Sequence, residues 1–331
     1  MKDVYKKLYE VTDKIAKMDP WEWLYDIDIF AIQPEGYLEP FFVSVMGYEG
    51  NCYGISVYYG ADGFVDFDAL SQEDSNLPVS YLMSDIDCLT CYFGPESELD
   101  DESLWKFEEM GIHPFKEDKY FYFLSFEPRF YPSPIDDNEA KVLLDVFKGL
   151  YYAIDQWMNE HTIEVKWEEG EICFAYESKN EWSLNPVQRP FLTREYPRFI
   201  LDDEYTNKLK KCQRSKESLS LELMYVNAPV LSKEENTDKP INPLMFLVLD
   251  NDTGEFVQTA FLDLDDDEID YVLDWITDYI EEFGIPGELR FHNPYIEAAV
   301  DDLSHKLDIE ITYDDLDGLS EFFNRIIEES I

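Results

Sequence analysis

Twenty-five of the last 91 residues are acidic and three are basic, and this net −22 segment limits both how the chain can fold and what it can touch. Over all 331 residues, 73 Asp and Glu face 26 Lys and Arg, a formal charge of −47. Local ion pairing can absorb only the basic complement, so most carboxylates must face water or a cationic partner. The excess is uneven: residues 1–100 carry 20 acids against 5 bases, 101–200 carry 20 against 11, and 201–240 carry 8 against 7. Such a surface repels free nucleic acid and anionic membrane and attracts basic proteins or metal cations.

The chain is nevertheless built to fold. Hydrophobic residues make up 45% and aromatics 16%, whereas acidic disordered chains are poor in both. Its length suggests roughly two domains of about 150 residues. The first residues lack the apolar stretch of a signal peptide, and no run of about 20 apolar residues offers a membrane span. A cytoplasmic location is expected, without membrane contact. Five cysteines, an odd number in a chain this long, fit free thiols in a reducing compartment. The one CxxC, Cys88 to Cys91, lacks a second ligand pair and reads as part of a buried strand.

Periodicity divides the chain. Leu8, Val11, Ile15 and Met18 recur at helical spacing before Pro20, and a Trp-rich segment, Trp21 to Phe30, places large rings next to acids and reads as core rather than as a binding platform. Strands are expected at 41–46, 52–59 and 119–126. A long helix follows Asp136 and Asp137, and strands near 162–168 and 171–177 join across Glu169 and Gly170. This is an α+β domain over 1–182. Pro186, Pro190, Pro197 and the basic run Lys208–Lys216 mark a connector over 183–218, helical in its basic part and neutralised by neighbouring acids. Residues 219–331 then read β-β-β-α-β-α-β-α: strands at 219–226, 245–249 and 255–263, a helix with the stripe Ile269, Val272, Leu273, Ile276 and Ile280, and a strand at 289–292. Asn293 and Pro294 begin the next helix, a strand follows at 308–313, and the last helix runs over 318–330.

That succession resembles the RNase H-like fold of ribonucleases H, integrases and DDE transposases. Val248-Leu249-Asp250 with the turn to Gly254 is similar to the hairpin after their first strand, and Glu321 to Arg325 is similar to the integrase helix that bears the last carboxylate. The resemblance implies an α/β RNase H-like C-terminal domain. In the active members, carboxylates hold Mg²⁺ or Mn²⁺ for in-line displacement. Carried over, the first-strand position is Glu222, the helix position is Glu321 and Asp250 is a spare metal ligand. The fourth-strand position is His292 and Asn293, where active families carry aspartate. A degenerate scaffold, with Glu222 and Glu321 as ordinary surface acids, is the simpler implication. At whole-chain level the sequence resembles a bacterial two-domain family, marked by the Trp-rich segment, whose halves are both domains of unknown function.

Asp263, Asp265, Asp266, Asp267, Glu268 and Asp270 form the densest acidic cluster. They lack the spacing of a calcium loop and run straight into a helix, whose dipole favours them. They are the expected binding face for a basic, nucleic-acid-binding protein, which the chain engages without catalysis or cofactor, as a nucleic-acid mimic or an inhibitor of a defence protein. The alternative is a metal-dependent RNase H-like nuclease or phosphodiesterase acting through Glu222, His292 and Glu321. A −22 surface argues against admitting a polyanion.

Overall fold

The computed structural model describes residues 2–50, 52–71, 77, 79–99, 101–111, 119–227, 239–314 and 316. They fall into two compact units. The first takes in the described residues of Met1–Gln72, Ile86–Pro128 and Pro132–Arg194, and the second those of Glu73–Asp85, Arg129–Tyr131 and Glu195–Ile331.

The elements in chain order begin with α1 (Lys2–Ala16), β1 (Phe30–Gln33), β2 (Phe41–Met46), β3 (Tyr53–Tyr59), α2 (Gly60–Ser71), α3 (Val79–Ser84) and β4 (Cys88–Gly94). Then come α4 (Asp101–Met110), β5 (Tyr120–Phe126), β6 (Ser133–Pro134), α5 (Asp137–Met158), β7 (Glu171–Ser178) and β8 (Glu181–Gln188). Unit 1 is an eight-stranded sheet in the order β6-β5-β4-β3-β2-β1-β7-β8. All its pairs are antiparallel except β1 with β7. Its central strands are largely apolar because both faces are covered, with Ser44, Ser56, Thr90 and Ser125 as buried polar exceptions. Phe30, Ile32, Val43 and Val45 pack with Leu8, Ile15, Leu143, Phe147 and Ile154 of α1 and α5. Ile29, Ala31, Phe42 and Tyr58 face Phe64 and Phe67 of α2. Asp136 caps α5 by accepting from the Asn138 and Glu139 amides at 2.7 and 2.8 Å, while Glu139 accepts from the Asp136 amide.

Cys88 and Cys91 lie on β4, three residues apart and so on opposite faces, each in a different core. Burial pushes the Cys88 thiol up to about 12 and raises Cys91 as well, so neither offers a thiolate.

Two local expectations change. Residues 162–166 form no strand: the chain makes a 3-10 turn at Trp167–Glu169 that ends at Gly170 with φ 78°, and the Lys166 amide donates to Glu171. The hairpin is instead β7 with β8 across Lys179 and Asn180, both left-handed at φ 54° and 61°, which suits a two-residue turn with positive φ at both positions. The sheet therefore continues to Gln188. Pro186 is accommodated because β8 is an edge strand, where a missing N–H costs no ladder bond.

Unit 2 adds α6 (Asp203–Leu209), β9 (Ser218–Tyr225), β10 (Leu244–Asp250), β11 (Phe256–Phe261), α7 (Glu268–Phe283), β12 (Glu288–Phe291), α8 (Pro294–Leu307) and β13 (Glu310–Tyr313). Its sheet order is β11-β10-β9-β12-β13. The first three strands in sequence pair antiparallel, and β12 is parallel to both β9 and β13. Phe246 turns one face of β10 toward Tyr271 and Trp275 of α7. Met245 and Leu247 turn the other face toward Met224, Leu249, Phe256 and Leu316. The helix expected at 318–330 lies outside the described residues.

The basic run is part of unit 2. Lys208 pairs with Glu281, Arg214 donates to the Leu307 and Asp308 carbonyls at the end of α8, and Ser215 N–H donates to Ile285 O at 2.8 Å. Leu201 and Leu209 are buried. Proteases need locally unfolded backbone. Limited trypsin is therefore expected to leave Lys208–Lys216 intact while cutting elsewhere first, as read by mass spectrometry of the earliest fragments. First cleavage within that run would show it to be a free linker.

Candidate functional site

On β9 the alternation Leu219, Leu221, Leu223 points one set of side chains to one face and leaves Ser220, Glu222 and Met224 for the other. That other face is also covered, because Leu247 stands directly opposite Glu222 in the β9–β10 register, beside Met245 and Leu249. Glu222 is thus buried, with 7% of its surface exposed, and is not the ordinary surface acid that the alternation suggests. Its Oε1 accepts the Leu223 N–H at 3.0 Å. Burial pushes its carboxyl up to about 8, against weaker opposing pulls from that N–H and from the Asn293 side chain. Asn293 is itself buried, and its Oδ1 caps α8 by accepting the Tyr295 N–H at 2.9 Å. The fold therefore brings Glu222 and Asn293 together where β9 and β12 run side by side.

Two of the other sequence-derived ligands, His292 and Asp250, lie among the described residues. His292, half-buried, precedes Asn293 in the chain. Asp250 sits opposite Leu219, three residues or about 10 Å along the strand from the Glu222 position. Its Oδ1 closes the turn by accepting from the Asp252 and Thr253 amides at 2.8 and 3.3 Å. Glu321 lies outside the described residues. Burial raises the Glu222 carboxyl and so opposes the charged form that a Mg²⁺ or Mn²⁺ ligand takes. Among the described residues no three His, Cys, Asp or Glu side chains gather as a metal-holding group.

The acidic cluster has a partly structural role. Asp267 caps α7, accepting from the Ile269 and Asp270 amides at 2.9 and 3.0 Å, and Asp266 accepts from the Asp263 amide at 2.9 Å. Glu268 accepts from Nη2 and Nε of Arg129 at 3.0 and 3.2 Å. The same guanidinium donates to the Asp266 carbonyl at 3.0 Å. Asp263, Asp265 and Asp270 keep exposed side chains. Arg129 was not signalled by the sequence, since it is a lone base between Pro128 and Pro132. Its backbone is tied to 240–242: Asn242 N–H donates to Arg129 O, and Tyr131 N–H donates to Pro240 O, each at 2.8 Å.

Unit 1 carries a second candidate. The Trp-rich segment divides: Trp21, Leu24, Ile29 and Phe30 are core, while Trp23, Tyr25 and Ile27 are 62%, 52% and 58% exposed. Trp23 lines a pocket of about 960 Å³ with the end of α5 and the chain that follows it, including Trp157, Met158, His161, Ile163 and Glu164. The reading of this segment as core holds for Trp21, Leu24, Ile29 and Phe30 but not for Trp23, Tyr25 and Ile27, and the pocket partners lie more than 130 residues on and carried no signal.

The chain belongs to the family of Domain of unknown function (DUF7309), whose model matches residues 5–175. A second model, Domain of unknown function (DUF6930), matches residues 205–327. The two matches follow the division into an N-terminal and a C-terminal half. No curated protein and no solved structure matches the chain. No described helix is long and apolar enough to cross a membrane.

Proposed function

We propose that the chain is a non-catalytic binding protein for a basic, nucleic-acid-binding protein, acting as a nucleic-acid mimic or inhibitor, and that unit 2 is a degenerate RNase H-like scaffold. The sheet order, with three antiparallel strands followed by two parallel ones, supports the scaffold reading. The observation that supports the non-catalytic reading is Asn293: the fourth-strand place holds a carboxamide already committed to capping α8, beside a buried Glu222 whose carboxyl is raised. A metal-dependent nuclease would need charged oxygens in that place. What remains to act is the surface, with 47 uncompensated negative charges.

A long-range field of this size steers a basic partner and fails as salt screens it, the Debye length falling from about 10 Å at 0.1 M to about 3 Å at 1 M. The experiment is a pull-down from bacterial lysate at low salt. Captured proteins are expected to be nucleic-acid-binding, to be released as salt rises, and to be displaced by added DNA or RNA, while free nucleic acid does not bind. Asp263→Lys with Asp265→Lys should weaken capture without unfolding the domain, since both side chains are exposed and Asp267, the helix cap, is spared. Capture indifferent to salt, to nucleic acid and to these reversals would leave the charge as a solubility device.

A further inference from the structure

We infer that the pocket of unit 1 is a docking site for an arginine-bearing basic peptide segment, held by cation–π stacking on Trp23 and Trp157 with Glu164 as counter-ion. The inference rests on the reading of a basic protein partner and names the part of it that is recognised. At about 960 Å³ the pocket is at the upper end of small-ligand sites, large enough for several residues of an extended segment. Its lining offers two indoles, the apolar Met158, Ile163 and Val165, and one carboxylate, with no Lys or Arg. Trp157 is fixed against Trp167, edge to face at 6.2 Å, so one wall is held in place. Trp23 forms another with most of its ring in water, beside a surface that continues through Tyr25 and Tyr48, whose rings are 4.1 Å apart.

Charge selects the occupant. Residues 18–50 contain seven acids and no Lys or Arg, and residues 149–165 contain three acids and no Lys or Arg. The flanking Lys17, Lys148 and Lys166 are paired with Asp13, Asp145 and Glu169, so the surplus charge around these rings is negative, which disfavours phosphate and opposes their use to stack nucleobases. Such a surface attracts a cation with a planar face. Guanidinium meets that description better than ammonium, because it is weakly hydrated, stacks on indole and keeps its charge.

The test is a fluorescence-anisotropy titration of the full chain with a labelled nonapeptide carrying two arginines among glycines and serines. Its citrulline counterpart, neutral and nearly isosteric, is the control. Binding of the arginine peptide is expected, with the citrulline peptide at least tenfold weaker. Trp23→Ala should loosen the dissociation constant about three- to thirty-fold, the range of one cation–π contact from exposed to desolvated. Glu164→Gln should loosen it several-fold, and Asp263→Lys with Asp265→Lys, in unit 2, should leave it unchanged. Trp23 and Glu164 are both exposed, so these variants should melt as the parent does. Equal binding of the citrulline peptide, no binding of either peptide, or indifference to Trp23→Ala would overturn the inference. So would loss of peptide binding in the unit 2 reversal, which would assign the peptide to the other acidic face. Protein capture that persists while the peptide fails to bind sinks the pocket and spares the acidic-surface reading. Peptide binding without any capture from lysate sinks that reading and spares the pocket.

Discussion

Glu222→Gln is expected to stabilise unit 2 at pH 7 by up to about 3 kcal/mol. The wild-type carboxyl ionises near 4.5 when unfolded and at about 8 when folded, chiefly because burial penalises its charged form. Between those values the native state holds a proton that the unfolded chain has released. Stability is therefore fully present below about pH 4.5 and declines as pH rises to about 8, by up to about 1.4 kcal/mol per pH unit, which integrates to about 3 kcal/mol at pH 7. Glutamine has nearly the same shape and keeps an acceptor for the Leu223 N–H, but it has no proton to lose. Desolvating its amide offsets part of the gain.

Urea denaturation of both proteins at pH 5, 6, 7 and 8 reads this directly. The background titration of the other acids is common to both and cancels in the difference. The variant's advantage should be small at pH 5 and grow to pH 8; a difference independent of pH would mean that Glu222 is ionised in the folded state. The same pair of proteins addresses metal binding. A Glu222 that served as a ligand would be deprotonated, so Mg²⁺ or Mn²⁺ would stabilise wild type and not the variant. The expected shift with either cation is nil, and metal-dependent cleavage of DNA or RNA that Glu222→Gln abolished would sink the non-catalytic reading.

Much of both folds was legible because it rests on local periodicity. The α5 stripe, the apolar runs of β2 to β5 and the caps at Asp136 and Asn293 are short-range signals, and the structure bears each of them out. What escaped needed distance or an unusual turn. Lys179 and Asn180 adopt left-handed angles without a glycine, so the β7–β8 hairpin was displaced by one element. Glu222 looked solvent-facing because Leu219, Leu221 and Leu223 alternate around it, and only the partner register, with Leu247 opposite, shows the second face to be closed. Nor could local pattern reveal that α3 and Arg129 belong with unit 2, since their partners lie over a hundred residues on. There the Asp85 carboxylate accepts from Tyr225 and Tyr295 hydroxyls, each at 3.0 Å.

Arg129→Ala should destabilise unit 2 by about 3–5 kcal/mol, a loss on the scale of truncating a core side chain. The guanidinium and its partner carboxylate are 9% and 18% exposed, so water screens the pair little and cannot replace the lost donors. Alanine leaves Glu268 charged with no cation, at the start of a helix, in a segment already crowded with Asp263, Asp265, Asp266, Asp267 and Asp270. It also strips the Asp266 carbonyl of its donor. Arg129→Lys should recover only part of the loss, because one ammonium cannot reach both the carboxylate and that carbonyl with the geometry of a planar fork. Arg129→Met combined with Glu268→Leu should recover more, since it removes the uncompensated charge together with its partner. The decisive quantity is the coupling energy of the Arg129 and Glu268 cycle, measured by urea denaturation. A coupling below about 0.5 kcal/mol would class the contact with ordinary surface ion pairs and remove Arg129 as the tie that holds the acidic segment in place.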